Sequence, residues 1–117
     1  MFRIDEKENP QIFIRPGMTD MRKAINGLSM LVQEEIGHNP FNGNYYAFCS
    51  RNRRLIKILY WDTNGFCLWH KRLEEDKFPW PRDAASVKEL SMEQLSWLLH
   101  GLDFRKAYSG KKYSATG

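Results

Sequence analysis

The chain has 117 residues, 42% of them hydrophobic and 14% aromatic, enough for one domain that buries roughly two-thirds of its unfolded surface without a disulfide or a metal. A net charge of +4 and an isoelectric point of about 9.2 permit a nucleic-acid or acidic protein partner and demand neither. No apolar run approaches the ~20 residues of a membrane helix, and the start MFRIDEKENP has no signal-peptide h-region, so a cytoplasmic protein with no membrane partner is expected.

Residues 1–10 are polar and read as a flexible segment ahead of one domain spanning 11–108, with a flexible basic tail at 109–117. Residues 11–15 (QIFIR) make a short strand that ends at the Pro16-Gly17 turn. Thr19 or Asp20 then serves as N-cap to a helix reaching about Ile36, because Ala24, Ile25, Leu28, Leu31 and Val32 recur at helical spacing. Gly37 stops that helix and Pro40 prevents its resumption.

Three strands follow the NPFNGN turn: Tyr45–Cys49, Leu55–Trp61 and Phe66–Leu73. Asp62–Gly65 (DTNG) joins the last two, either with Asn-Gly in a type I′ turn or as a longer loop with Gly65 left-handed. The segment FPWP (78–81) is no central strand, since two prolines remove ladder donors. Ser91 with Gln94 forms a capping box for a second helix bearing Met92, Leu95, Leu98 and Leu99, with Gly101 as its stop. The order predicts an α+β domain, a small antiparallel β-meander packed with two helices.

Cations concentrate at two places along the meander. Arg51, Arg53 and Arg54 crowd the first loop with Lys57 just beyond, and His70-Lys71-Arg72 closes the last strand. Antiparallel pairing brings the two clusters to the same end of the sheet, as a patch that could receive phosphates. Arg22 and Lys23 stand at the expected helix start, where cations oppose the helix dipole unless an anion is bound between them and the free amides. An ion pair of Lys23 with Asp20, or of Arg22 with a distant carboxylate, is the plainer explanation. Tyr45, Tyr46, Tyr60, Trp61, Trp69 and Trp80 suit either a sheet core or a stacking surface.

Catalysis has little support. His38, His70 and His100 lack ligand spacing, Cys49 and Cys67 form no CxxC pair, and no glycine-rich phosphate loop occurs. Asp62 and Glu74 could serve a metal-dependent nuclease, although each fits a turn or solvated loop equally well. No metal and no cofactor are expected.

Taken in order, GMTDMRKAINGLSMLVQEE, NPFNG, RNRRLIKILYWDTNGFCLWHKRLEEDKFPWP and LSMEQLSWLLHGLDFRK resemble the small TnpB-type accessory protein of the insertion-sequence family sixty-six, its second open reading frame. The resemblance runs from about Phe13 to Lys106. The chain is far shorter than the RNA-guided nucleases that share the TnpB name and lacks their catalytic pattern. TDMR (19–22), the set Lys57, Leu59, Trp61, Asp62 and Gly65, and KRLE (71–74) match the family pattern, while Glu75-Asp76 and the first ten residues depart from it. The resemblance implies a bacterial mobile element whose separate transposase is the partner. The expected function is a non-enzymatic accessory role in transposition, binding DNA, the transposase or both through Arg22, Lys23, Arg51, Arg53, Arg54, Lys57, Lys71 and Arg72. The alternative is a protein adaptor that uses an aromatic sheet face and binds no DNA.

Overall fold

A computed structural model describes residues 10–82 and 87–101; the expectations for residues 1–9 and for the tail at 109–117 lie outside the described residues. Five strands form one sheet: β1 (Ile12–Ile14), β2 (Tyr45–Cys49), β3 (Leu55–Asp62), β4 (Gly65–Arg72) and β5 (Lys88–Leu90), in the order β4-β3-β2-β1-β5. Helix α1 (Ile25–Leu31) runs into a π-helical turn at Val32–Ile36, and α2 (Met92–Leu99) follows β5. The α+β class and the antiparallel β2-β3-β4 meander are present. The sheet as a whole is mixed, because β1 pairs parallel with β2 and antiparallel with β5. A parallel neighbour requires a long crossover, which is where the α1 segment lies.

All five residues of β2 are buried, as befits a central strand with both faces covered. Period-two alternation divides the side chains between two cores. On one face Tyr45, Ala47, Cys49, Ile56 and Ile58 pack with Leu95, Leu98 and Leu99 of α2 and with Phe78 and Trp80. On the other, Tyr46, Phe48 and Leu59 pack with Leu28, Leu31 and Val32. The FPWP segment is irregular, as its prolines require, yet both its aromatics are buried. The Trp80 indole N–H donates to the carbonyls of Arg15 (3.0 Å) and Gly17 (3.1 Å), and the Gly17 amide donates to Pro81 O at 2.8 Å.

Two local expectations are corrected. The first helix does not begin at Thr19 or Asp20. Thr19 is 3% exposed and its amide donates to Cys49 O at 2.8 Å, so this stretch is tied to the end of β2 and cannot coil. Helical bonding starts with Leu28 N to Ala24 O (2.8 Å), and Ala24 gives no side-chain cap. In the hairpin, Asp62 pairs directly with Gly65. The loop is Thr63-Asn64 with Thr63 at φ 54°, and Gly65 is not left-handed.

The second helix is as expected. Ser91 Oγ accepts from Gln94 N at 3.1 Å while Gln94 Oε1 accepts from Ser91 N at 2.8 Å, and Gly101 is left-handed at φ 83°. Ser91→Ala should cost about 1 kcal/mol, read as a fall of a few degrees in the thermal midpoint; an unchanged midpoint would show that packing alone holds this helix.

Candidate anion-binding site at one end of the sheet

The turn between β2 and β3 is built by Ser50. Its amide donates to Leu55 O (2.9 Å), and its hydroxyl oxygen accepts from the amides of Arg54 (3.2 Å) and Leu55 (3.0 Å). The same hydroxyl donates to Asn52 Oδ1 at 2.8 Å. Arg53 sits in the left-handed region at φ 61°, with its amide donating to Ser50 O (3.0 Å) and its carbonyl accepting from Phe78 N (2.7 Å). The turn is therefore anchored to both its own strands and the FPWP segment.

Leu55 pairs with Arg72, so the two basic clusters do meet at this end. An acid stands between them. Arg54 Nη1 donates to the Glu74 carbonyl at 2.9 Å, and Arg72 Nε donates to the Glu74 carboxylate at 3.2 Å. Arg51 and Arg53 have no acid within ion-pair distance among the described residues. Together with Arg82 they border a hollow of about 290 Å³ whose other walls are Gly17, Met18, Ser50, Trp80 and Pro81. Arg82 is missing from the sequence-based set. It arrives because Trp80 and Pro81 are bonded to the Arg15–Gly17 stretch, and no spacing rule links position 82 to position 51.

The two lysines are elsewhere. Lys57 lies between Ile56 and Ile58 on the α1 side of the sheet, and its ammonium donates to Met21 O (2.9 Å) and Lys23 O (3.0 Å). Lys71 lies on the α2 side and donates to Leu99 O at 2.9 Å. Lys71 thus serves a carbonyl at the C-terminal end of α2, and Lys57 serves two in the non-helical stretch before α1. Arg22 and Lys23 lie just before the helix and not in its first turn, since α1 begins at Ile25 with Ala24 as its N-cap. Arg22 is 91% exposed and pairs with Asp20 at 2.6 Å, while Lys23 is exposed. Hydrogen bonds from the Arg22 side chain and then its backbone hold the Asp20 carboxyl at about 2, below its ordinary 3.8.

Asp62 and Glu74 flank opposite ends of β4, roughly 24 Å apart at the rise of an extended strand, so they cannot share a metal ion. Among the described residues no three His, Cys, Asp or Glu side chains are placed to hold one. His38 shares a hydrogen bond of 2.9 Å with Tyr46 OH. Both cysteines are free, and burial pushes the Cys49 thiol up to about 12, which keeps it protonated and unreactive at neutral pH. Of the six aromatics, Tyr45, Tyr46 and Trp80 are buried in the core, whereas Tyr60, Trp61 and Trp69 are half-buried, and Trp61 packs with Phe66 and with Phe41, which is 56% exposed. Among the described residues no helix is long and apolar enough to cross a membrane.

The fold and this end of the sheet define a small α+β protein with an arginine-bordered recess at a rigid turn. The chain belongs to the family described as IS66 Orf2-like protein, whose model matches residues 10–109, and this ties it to an accessory role in an insertion sequence. Two relatives from Sinorhizobium fredii are similar to it: the uncharacterized protein y4hO, 39% identical over 84% of this chain and 85% of its own length, and the uncharacterized protein y4jC, 30% identical over 82% of each. No solved structure matches the chain.

Two measurements separate structural from binding roles. Lys57→Met leaves two carbonyls without their donor and should lower stability by about 1–3 kcal/mol without altering ligand affinity. Because the folded-state acidity of Asp20 is raised by Arg22, its stabilising contribution is complete above pH 3.8 and disappears as pH falls through about 2. Asp20→Asn should therefore flatten the acid limb of a plot of thermal midpoint against pH; an unchanged limb would show that the pair does not form in solution.

Proposed function

We propose that the protein serves insertion-sequence transposition as a binding module without catalysis of its own, and that it holds DNA of the element through Arg51, Arg53 and Arg82. The observation that carries this reading is the three guanidinium groups around one recess, with no acid among the described residues to neutralise them. A guanidinium matches phosphate oxygens bidentately and stays charged at any physiological pH. Arg54 donates to the Glu74 backbone carbonyl and Arg72 pairs with the Glu74 carboxylate, and neither lines the recess, which leaves them a supporting part. Lys57 and Lys71 fall outside the binding surface, because both ammonium groups are occupied by carbonyls. The element-encoded transposase is the protein partner proposed with DNA, on the family's place in transposition.

Salt dependence tests the reading. Neutralising about three phosphates makes log affinity fall with log salt at a slope of about −2 to −3. The double variant R51A/R53A should weaken binding to element-end DNA and reduce that slope by about 2, with the thermal midpoint unchanged. A mobility shift that is absent, or that is indifferent to both substitutions, would refute it. Pull-down of the transposase with and without end DNA tests the protein partner.

A further inference from the structure

A second hollow, of about 410 Å³, adjoins the first and shares Met18, Ser50 and Arg51 with it. Its remaining walls come from Thr19–Met21 and Asn52. The two recesses lie side by side across the β2–β3 turn, with Arg51 and Met18 as their common border. Each is of the size at which small-ligand pockets begin, about 300 Å³.

We infer that this double recess takes an unpaired nucleic-acid strand, one nucleotide unit on each side of Arg51, in preference to a duplex. The inference deepens the DNA-binding reading and rests on it. Duplex DNA is a stiff rod with a persistence length of about 50 nm, and its bases are stacked and paired, so its backbone can touch the rim of such recesses without filling them. An unpaired strand bends freely and presents both a phosphate and a bare base. The phosphates follow the side carrying Arg53, Arg51 and Arg82. At the second hollow the Asp20 carboxylate is paired with Arg22, so that wall carries little net charge while the positive charge lies with Arg51, Arg53 and Arg82 at the first. The bases turn toward Met18, which is 45% exposed and offers a polarisable apolar surface, and toward the plane of the Arg51 guanidinium, a group on which bases stack.

Arg53 supplies an independent argument. A long side chain in the left-handed region is uncommon, and glycine or asparagine occupies that region with less strain. The backbone bonds from Ser50 and Phe78 hold it there, so its side chain leaves the turn in a fixed direction and lines the first hollow. An acidic peptide would meet the same charges but carries no base to lie on Met18 and the Arg51 guanidinium.

Fluorescence anisotropy with the full chain tests the inference, using labelled oligothymidylate of about twelve nucleotides, a blunt duplex of the same length, and polyglutamate as competitor. Wild type should bind the single strand roughly ten-fold more tightly than the duplex. Arg53→Asn suits the left-handed turn, so it should lower single-strand affinity while the thermal midpoint holds or rises. Met18→Asp should lower single-strand affinity with little change for the duplex. Equal or tighter binding of the duplex overturns the inference and leaves the proposed function standing. Displacement of the strand by polyglutamate at matching charge overturns it in favour of an acidic peptide. Failure to bind either form of DNA removes the proposed function along with it.

Discussion

Strand β2 has no solvent face, and the rest of the molecule is arranged around that constraint. Each of its residues from Tyr45 to Cys49 is buried, so two separate layers must cover the sheet. Burying a large apolar side chain contributes about 1.5–3 kcal/mol, and Phe48, Tyr46, Leu28 and Val32 do this on one side while Ile58, Phe78 and Leu95 do it on the other. The second layer is assembled partly from irregular chain. FPWP cannot make ladder bonds, so its polar groups are met by distant chain, above all through the Trp80 indole and the carbonyls of Arg15 and Gly17. That same seam carries Arg82 to the turn where Arg51 and Arg53 stand. The recess is a by-product of covering the core.

The cations of the sheet divide into two kinds for reasons of alternation and reach. Successive strand residues point to opposite faces, so Lys57 and Lys71 enter different layers although their strands are hydrogen-bonded neighbours. A lysine stem packs well against apolar surface and its compact ammonium can finish on carbonyl oxygens. Lys57 finds these at Met21 and Lys23, where the chain has not yet become helical, and Lys71 finds one at the end of α2. In the β2–β3 turn Arg51 is exposed and Arg53 and Arg54 are half-buried, and neither Arg51 nor Arg53 meets an acid among the described residues. Their positive charge remains directed outward.

Much of the fold is legible in the sequence because the signals there are local. Ser91 and Gln94 are three residues apart, the meander strands are dense in branched and aromatic residues, and the register that sets Leu55 opposite Arg72 follows from a short hairpin loop. The start of α1 is not legible in that way. Helical spacing extends back to Asp20, but Thr19 is bound to Cys49 and the carbonyls of Met21 and Lys23 are taken by Lys57, and both interactions span some thirty residues or more. Three-residue strands such as β1 and β5 are too short for alternation to announce their partners. The candidate site divides along the same line. The meeting of the Arg54 and Arg72 clusters follows from strand register, whereas the arrival of Arg82 depends on a tertiary seam between Trp80 and Gly17.

Charge alone does not distinguish a working surface from a soluble one at this end of the sheet, because Glu74, Glu75 and Asp76 are present beside the arginines. The distribution does. The Glu74 carbonyl accepts from Arg54 and its carboxylate from Arg72, which joins the β4 exit to the β2–β3 turn, while Arg51 and Arg53 border the recess. Arg53 is held at φ 61°, as Thr63 is at φ 54° in the next hairpin, and asparagine would take that conformation with less strain. Backbone strain is tolerated where a particular side chain is needed in a particular direction. The Ser50 hydroxyl and the Phe78 amide fix the backbone of the turn that carries Arg53. On the proposed reading, the guanidinium groups that this turn presents around the recess receive the anionic ligand with little rearrangement of the backbone.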